Sequence, residues 1–351
     1  MTVEQAKIKL TQFSHGAGCG CKISPAVLNE ILKNNESPDN FKNLLVGNKS
    51  RDDAAVYDLG NGTALVSTTD FFMPIVDDPF EFGMIAAANA ISDIYAMGGK
   101  PLLAVAILGF PVQKLPSQTA QQIISGARKI CADANIPLAG GHSIDSPELI
   151  FGLAVNGLVE INHLKKNNTA QEGDMLFITK PLGVGIITTA AKRDMAKEED
   201  LKLAVQNMSA LNKIGEELGK IKGVHALTDI TGFGLFGHLA EMCEGSRLSA
   251  EIYFDSIPLL TDLNFYLDKF IYPDMTTKIY SSLSDKINEL SPEQFFIGCD
   301  PQTSGGLLVA VAPEYFIEFQ SAVEKFNLKD AAGKPIGKML SKKEKLMEVK
   351  N

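Results

Sequence analysis

The sequence predicts an α/β (α+β) protein of two domains, and three observations carry that prediction. At 351 residues the chain exceeds what one ordinary core organises and suits two units of roughly 150 residues each. Short apolar segments of strand type alternate with stretches of helical periodicity along most of its length. A polar, turn-rich stretch, INHLKKNNTAQEGD at 161–174, interrupts the alternation and sets the division at 1–160 and 161–351.

Each element has its own signal. IKLTQF reads as a strand leading into the glycine-rich run HGAGCGCK, after which Ser24 as N-cap and Pro25 at the first position open a helix. Val27, Leu28, Ile31 and Leu32 would form its apolar face. After a polar connection, RDDAAVYDL and TALVSTTDFF read as two strands of a hairpin about the turn GNG at 60–62. A helix follows over 79–97, closed by Gly98 and Gly99, and LLAVAILGF at 102–110 reads as a buried strand. A second helix runs from Ser117 to about residue 134 and leads through LAGGHS into the strand ELIFGLAVNGLVE. Beyond the boundary, DMLFITK reads as a strand, PLGVGIITTAAK as a glycine turn into a helix, and VHALTDITGFGLFGHLAEMC as strand, loop and helix.

Composition excludes several classes. With 45% hydrophobic and 21% charged residues the chain is neither disordered nor fibrous, and its net charge of −9 disfavours non-specific attraction to nucleic acid or an anionic membrane. The nine apolar residues at 102–110 are its longest apolar run, well short of the about 18 that would span a bilayer. The start MTVEQAKIKL lacks a secretory core, so the expected location is cytoplasmic and the five cysteines are expected to be reduced. Cys131 and Cys243 sit at helical spacing with apolar neighbours and read as core.

Acidic residues in apolar surroundings carry the chemistry. Between Met84 and Met97 nearly every residue is small or apolar except Asn89, Ser92 and Asp93, and the first and last of these share a helix face. A carboxylate on so buried a helix is either an internal cap or ion-pair partner, or a ligand, because an isolated charge in low dielectric is costly. Asp52, Asp53, Asp70 and Asp229 each stand at a strand edge or in the turn after one. Converging on one cleft they would suit magnesium, which takes hard oxygen ligands; singly, turn and cap roles are the commoner explanation.

Two glycine runs resemble phosphate loops without matching them. HGAGCGCK fails GxxxxGK[ST], although its amides and Lys22 could face an anion; the alternative is an irregular terminal segment. TGFGLFG fits GxGxxG with Glu251 near the spacing of a ribose ligand, but Asp229 just before it opposes a bound pyrophosphate unless a metal bridges them. Cys19 and Cys21 read either as half a zinc site or as a thiol activated by Lys22 and a helix N-terminus.

LTQFSHGAGCGCKISP, the segment from Val46 to Gly83, AANAISDIYAMGGKP, LAGGHSID, TDITGFGLFGHLAEM and CDPQTSGGLL together resemble the signature segments of the selenophosphate synthetases, in the family's order from residue 10 to about 310. The wider superfamily of aminoimidazole ribonucleotide synthetase and thiamine monophosphate kinase shares the aspartate segments, whereas HGAGCGCK resembles the selenophosphate branch alone. The resemblance implies the two-domain aminoimidazole ribonucleotide synthetase-like fold, with an N-terminal domain that forms a β-barrel-like sheet shared across a homodimer. It implies conversion of ATP, selenide and water to selenophosphate, AMP and phosphate, with Mg2+ and a monovalent cation such as K+. It further implies partners that deliver selenium or use selenophosphate. Cys19 corresponds to the catalytic thiol and Lys22 to its basic partner; Asp53, Asp93 and Asp229 correspond to metal ligands. Nucleotide contacts correspond to Lys22, Ser50, Arg51, Asp52, Asp70, Asp93, Gly141, His142 and Ser143, with Ser50 standing where relatives carry Thr. Against this stand another ATP-dependent kinase or ligase of the superfamily, which has no use for Cys19, and a non-catalytic selenium or metal carrier built on Cys19 and Cys21.

Overall fold

The computed structural model describes residues 9–13, 16, 18, 27, 30, 31, 41–47 and 51–351. Two six-stranded sheets organise it. In the first the order is β1-β2-β3-β6-β4-β5, from Leu44–Val46 (β1), Ala55–Asp58 (β2), Thr63–Phe72 (β3), Lys100–Phe110 (β4), Leu138–Asp145 (β5) and Ile150–Glu160 (β6). All its pairs are antiparallel except β4 with β5. The second has the order β12-β9-β11-β7-β10-β8, from Met175–Ile178 (β7), Val224–Asp229 (β8), Ser249–Tyr253 (β9), Leu307–Val311 (β10), Gly337–Leu340 (β11) and Met347–Lys350 (β12).

Helix α1, Pro79–Ala96, lies at the centre. Asp78 caps it by accepting the Glu81 N–H at 2.9 Å, and Pro79 occupies the first position, where no amide hydrogen is needed. Its end is set by Gly98, whose φ of +72° suits a left-handed cap and whose N–H returns to the Tyr95 carbonyl. One side of α1 covers β3 and β6, another meets α2, Ser117–Asp133, and a third meets the second half of the chain. That triple burial explains why the helix is small and apolar nearly all round. The crossing with α2 is close: a Cβ on Gly83 would lie 1.9 Å from the Ile123 carbonyl oxygen, and one on Gly126 would lie 2.0 Å from that of Phe80. The rings of Phe72, Phe82 and Phe151 interlock edge to face beneath it.

Several sequence expectations need correction. The segment at 8–13 predicts a strand, but Leu10–Phe13 forms a 3₁₀ turn, because Thr11 gives both its N–H and its hydroxyl hydrogen to Asp77 Oδ1, at 3.0 and 2.7 Å. Val27 and Ile31 are helical as expected yet about half exposed, so they form no core face. LAGGHS, expected to be a connection, begins strand β5, where Gly141 pairs with Ala106 so closely that a Cβ would meet its carbonyl oxygen at 2.3 Å. Strand β4 is only partly buried; Leu102 and Leu103 are exposed, because among the described residues nothing packs over them. Strand β1 falls in the stretch that reads as a polar connection. Cys131 and Cys243 are buried as expected, and so is Cys299. No helix among the described residues is long and apolar enough to cross a membrane.

Candidate active site

The candidate side chains among the described residues gather where α1 meets both sheets. Asp53 stands in the turn before β2. On β3, period-two alternation places Thr68 and Asp70 on the same side as buried Val66 and Phe72, facing α1. From α1, Asn89 and Asp93 project toward them: Thr68 Oγ1 donates to Asp93 Oδ2, and Asn89 Nδ2 donates to Asp70 Oδ2 at 2.6 Å. Asp229 ends β8 in the second sheet and is only 2% exposed. Asp53, Asp93 and Asp229 each bring a carboxylate oxygen within 4.8 Å of the others.

Three carboxylates so close cannot all stay ionised without compensation. Burial pushes Asp53 well above the usual carboxylate range, and the Asp229, Asp93 and Asp52 charges push it further, against one hydrogen bond from Thr228 Oγ1 at 2.9 Å. Among the described residues, Asp53 Oδ2 is buried with no hydrogen-bond donor. A hard divalent cation fits this donor set: it supplies positive charge, takes the orphaned oxygen and prefers carboxylate ligands.

The loop Asp300–Gly306 closes the site from the second half. Its glycines permit contact no other residue would: a Cβ on Gly305 would lie 2.2 Å from the Ile230 carbonyl oxygen, and one on Gly306 would lie 2.3 Å from the Lys180 amide nitrogen. The Ser304 N–H donates to Asn89 Oδ1 at 2.8 Å and so joins the loop to α1. Asp300 is fully buried and reaches the start of helix α3, Val184–Lys192, where Oδ2 accepts the Gly185 N–H at 3.1 Å. Burial pushes its carboxyl up to about 8. Lys180, also buried, donates to the carbonyls of Ala210 and Ser304 at 2.7 and 2.8 Å; burial pulls its ammonium down to about 7 against the pull of Asp229.

The structure unites some of the sequence-derived candidates and separates others. Asp52 abuts the cluster, its Oδ1 accepting the Asn167 N–H at 2.7 Å. Arg51 is exposed and lines a cavity of about 590 Å³ with Phe233, Met275 and Lys278. Gly141, His142 and Ser143 are exposed on edge strand β5, with β6 and β4 intervening before Asp70 on β3, a separation of roughly 14 Å at the usual strand spacing. Cys19, Cys21, Lys22 and Ser50 lie outside the described residues. Gly234 of TGFGLFG has a packing reason, since its φ is +64° and it sits against the Cys299–Asp300 backbone. Glu251, the counterpart of a ribose ligand, is taken by Lys338 and Lys350 instead. Sequence reasoning misses Thr68, Thr228 and Lys180; the signal for the last is a lone cation ending the apolar strand segment DMLFITK.

Residues 51–159 match the family model described as AIR synthase related protein, N-terminal domain, and residues 171–349 match the C-terminal domain of the same family. The selenide, water dikinase of Photobacterium profundum is 56% identical over 313 residues, covering 89% of this chain and 90% of that one. That of Sulfurovum sp. (strain NBC37-1) is 52% identical over 347 residues, 98% of this chain and 99% of that one. In fold the chain is similar to thiamine monophosphate kinase from Aquifex aeolicus, with a TM-score of 0.66 at 18% identity over 92% of this chain and 96% of that one. It is similar also to the E. coli hydrogenase maturation protein HypE, with a TM-score of 0.59 at 18% identity over 80% of each chain. With a two-domain match over most of its length and more than half of the aligned residues shared with these dikinases, the chain belongs to the selenide, water dikinase family, within the AIR synthase related proteins.

Proposed function

We propose that the chain uses ATP to phosphorylate selenide, converting ATP, selenide and water to selenophosphate, AMP and phosphate. The observation that carries this reading is the cluster of Asp53, Asp93 and Asp229, assembled from both halves of a chain of this family. These three residues would hold magnesium, and bound there it would neutralise phosphate charge that a chain of net charge −9 otherwise repels. Asp52 and Asp70, flanking the cluster, and Arg51, at its outer edge, would orient the nucleotide beside Lys22 and Ser50. Thr228 and Thr68 hold Asp53 and Asp93 in place by donating to them. Hydrogen selenide is already an anion near neutral pH, so the site needs to position rather than deprotonate it.

The division into 1–160 and 161–351 has a role in this reading, because the cluster draws two ligands from one unit and one from the other. Gly141, His142 and Ser143 would reach a nucleotide from a second copy of the chain. Among the described residues the first sheet leaves Tyr57, Phe71, Leu103 and Ile144 exposed and β5 at its edge, which supports such pairing. Lys22 would attract the hydrogen selenide anion and Cys19 beside it would help to deliver it to the ATP phosphates, with no sulfur–selenium bond formed.

Phosphorus nuclear magnetic resonance of the products tests the whole. With ATP, magnesium and selenide the expected products are selenophosphate, AMP and phosphate. Cys19→Ser should lose selenophosphate at limiting selenide, and Cys21→Ser should retain it. Turnover that ignores selenide and yields only ADP contradicts the proposal.

A further inference from the structure

The three carboxylates come from elements that have every electrostatic reason to separate, and the protein itself must hold them in register. A buried polar seam crosses the boundary between the halves next to them. Lys180 Nζ donates to the Ala210 carbonyl at 2.7 Å and the Ser304 carbonyl at 2.8 Å. The Ser304 N–H passes to Asn89 Oδ1 at 2.8 Å, and Asn89 Nδ2 to Asp70 at 2.6 Å. Beside it Asn212 Nδ2 donates to both Ser92 Oγ and the Gly305 carbonyl at 2.8 Å. Lys180, Asn89, Ser92, Asn212 and Ser304 are each at most 5% exposed, so water is excluded from these bonds. Asn89 and Ser92 stand on α1 within one turn of Asp93, while Gly305 and Gly306 press on the backbone of Ile230 and Lys180, next to Asp229.

We propose that Lys180 is a positioning residue for the metal cluster: by clamping the Ala210 and Ser304 carbonyls it holds the Asp300–Gly306 loop against Asn89 and α1, and so sets Asp229 in register with Asp53 and Asp93. Asn212 is the second staple of the same seam. This inference rests on the proposed role of the three aspartates. In this role Lys180 acts through Ser304 and Asn89 rather than on substrate or cation directly. The side chain suits the task because its amine carries donors for both carbonyls and, when protonated, a charge that offsets Asp229.

Lys180→Met keeps the length and apolar stem of the side chain but removes the donors. It should remain folded by circular dichroism, bind magnesium·ATP about 10- to 100-fold more weakly, as loss of groups supporting metal ligands does elsewhere, and exchange the Ser304 amide hydrogen faster than the parent. Asn212→Ala should do the same to a smaller degree, and carries the test if Lys180→Met fails to accumulate. Parent-like magnesium·ATP affinity in the folded variant overturns the inference. So does exchange accelerated uniformly over both sheets, which would make Lys180 a general stabiliser. A parent protein that itself fails to bind magnesium·ATP would remove the proposed function instead, a result distinct from either.

Discussion

Asp53→Asn should lose magnesium-dependent ATP turnover by about 100- to 1,000-fold, the range for removal of one preorganised charge at a reacting centre, while making the metal-free protein more stable. Both effects have one cause. In the folded chain Asp53 is half-buried beside Asp229 and Asp93, with its Oδ2 shut off from solvent and lacking a donor among the described residues. The amide keeps the shape, still accepts from Thr228 and carries no charge to desolvate. A gain on the order of 1 kcal/mol, or about 2–4 °C in Tm, is expected in a chelator-treated sample. The pH dependence has a definite sign. Because its folded pKa is raised above that of the unfolded chain, Asp53 contributes stability when protonated, and the contribution is lost as pH rises through the raised value. Metal-free parent should therefore lose stability as pH rises from the ordinary aspartate range through that raised value, more steeply than Asp53→Asn. Melting scans over that range, with chelator and with magnesium, decide it. A variant that melts earlier than the parent without metal would make Asp53 a structural residue.

Gly83→Ala should be among the most damaging single-methyl additions in the chain. The new Cβ would lie 1.9 Å from the Ile123 carbonyl oxygen, where neither atom belongs to a flexible side chain, so α1 and α2 must part. Overpacking of this kind costs about 1–3 kcal/mol, with backbone contacts at the upper end. Because α1 carries Asn89 and Asp93, magnesium·ATP affinity should fall with stability. Gly83→Ala that melts within about 1 °C of the parent, the scatter of a neutral surface change, would show that the crossing can open at no cost.

What was legible in the sequence depended on whether its cause was local. Helix α1 could be read from its glycine stop and its polar trio, since each signal is local to the element, whereas its cap at Asp78 emerged only from the fold. The hairpin of β2 and β3 follows from its turn and alternation. Acidic residues in apolar surroundings marked Asp52, Asp53, Asp70, Asp93 and Asp229 alike, and only the family resemblance picked out three of them; that Asp53, Asp93 and Asp229 meet was not readable, because residues so far apart along the chain are joined by packing alone. Strand β5 was hidden by its glycines, which signal a turn and here permit close pairing with β4. Lys180 was hidden because a terminal lysine on a strand is ordinarily solvated. The small residues of α1 announced burial, while the reason for Gly83 in particular lay on another helix.

The open edge of the first sheet has a consequence for genetics. If Gly141–Ser143 serve the neighbouring copy's nucleotide, two individually dead alleles can complement each other. One chain impaired at Asp53 and another impaired at Gly141 would form mixed pairs in which one site inherits both defects and the other inherits neither. Co-expression would then restore activity that neither allele gives alone, and diluting the mixture far enough to part the chains would abolish it again. Alleles impaired at Asp53 and Asp229, whose carboxylates meet within one chain, would never rescue each other.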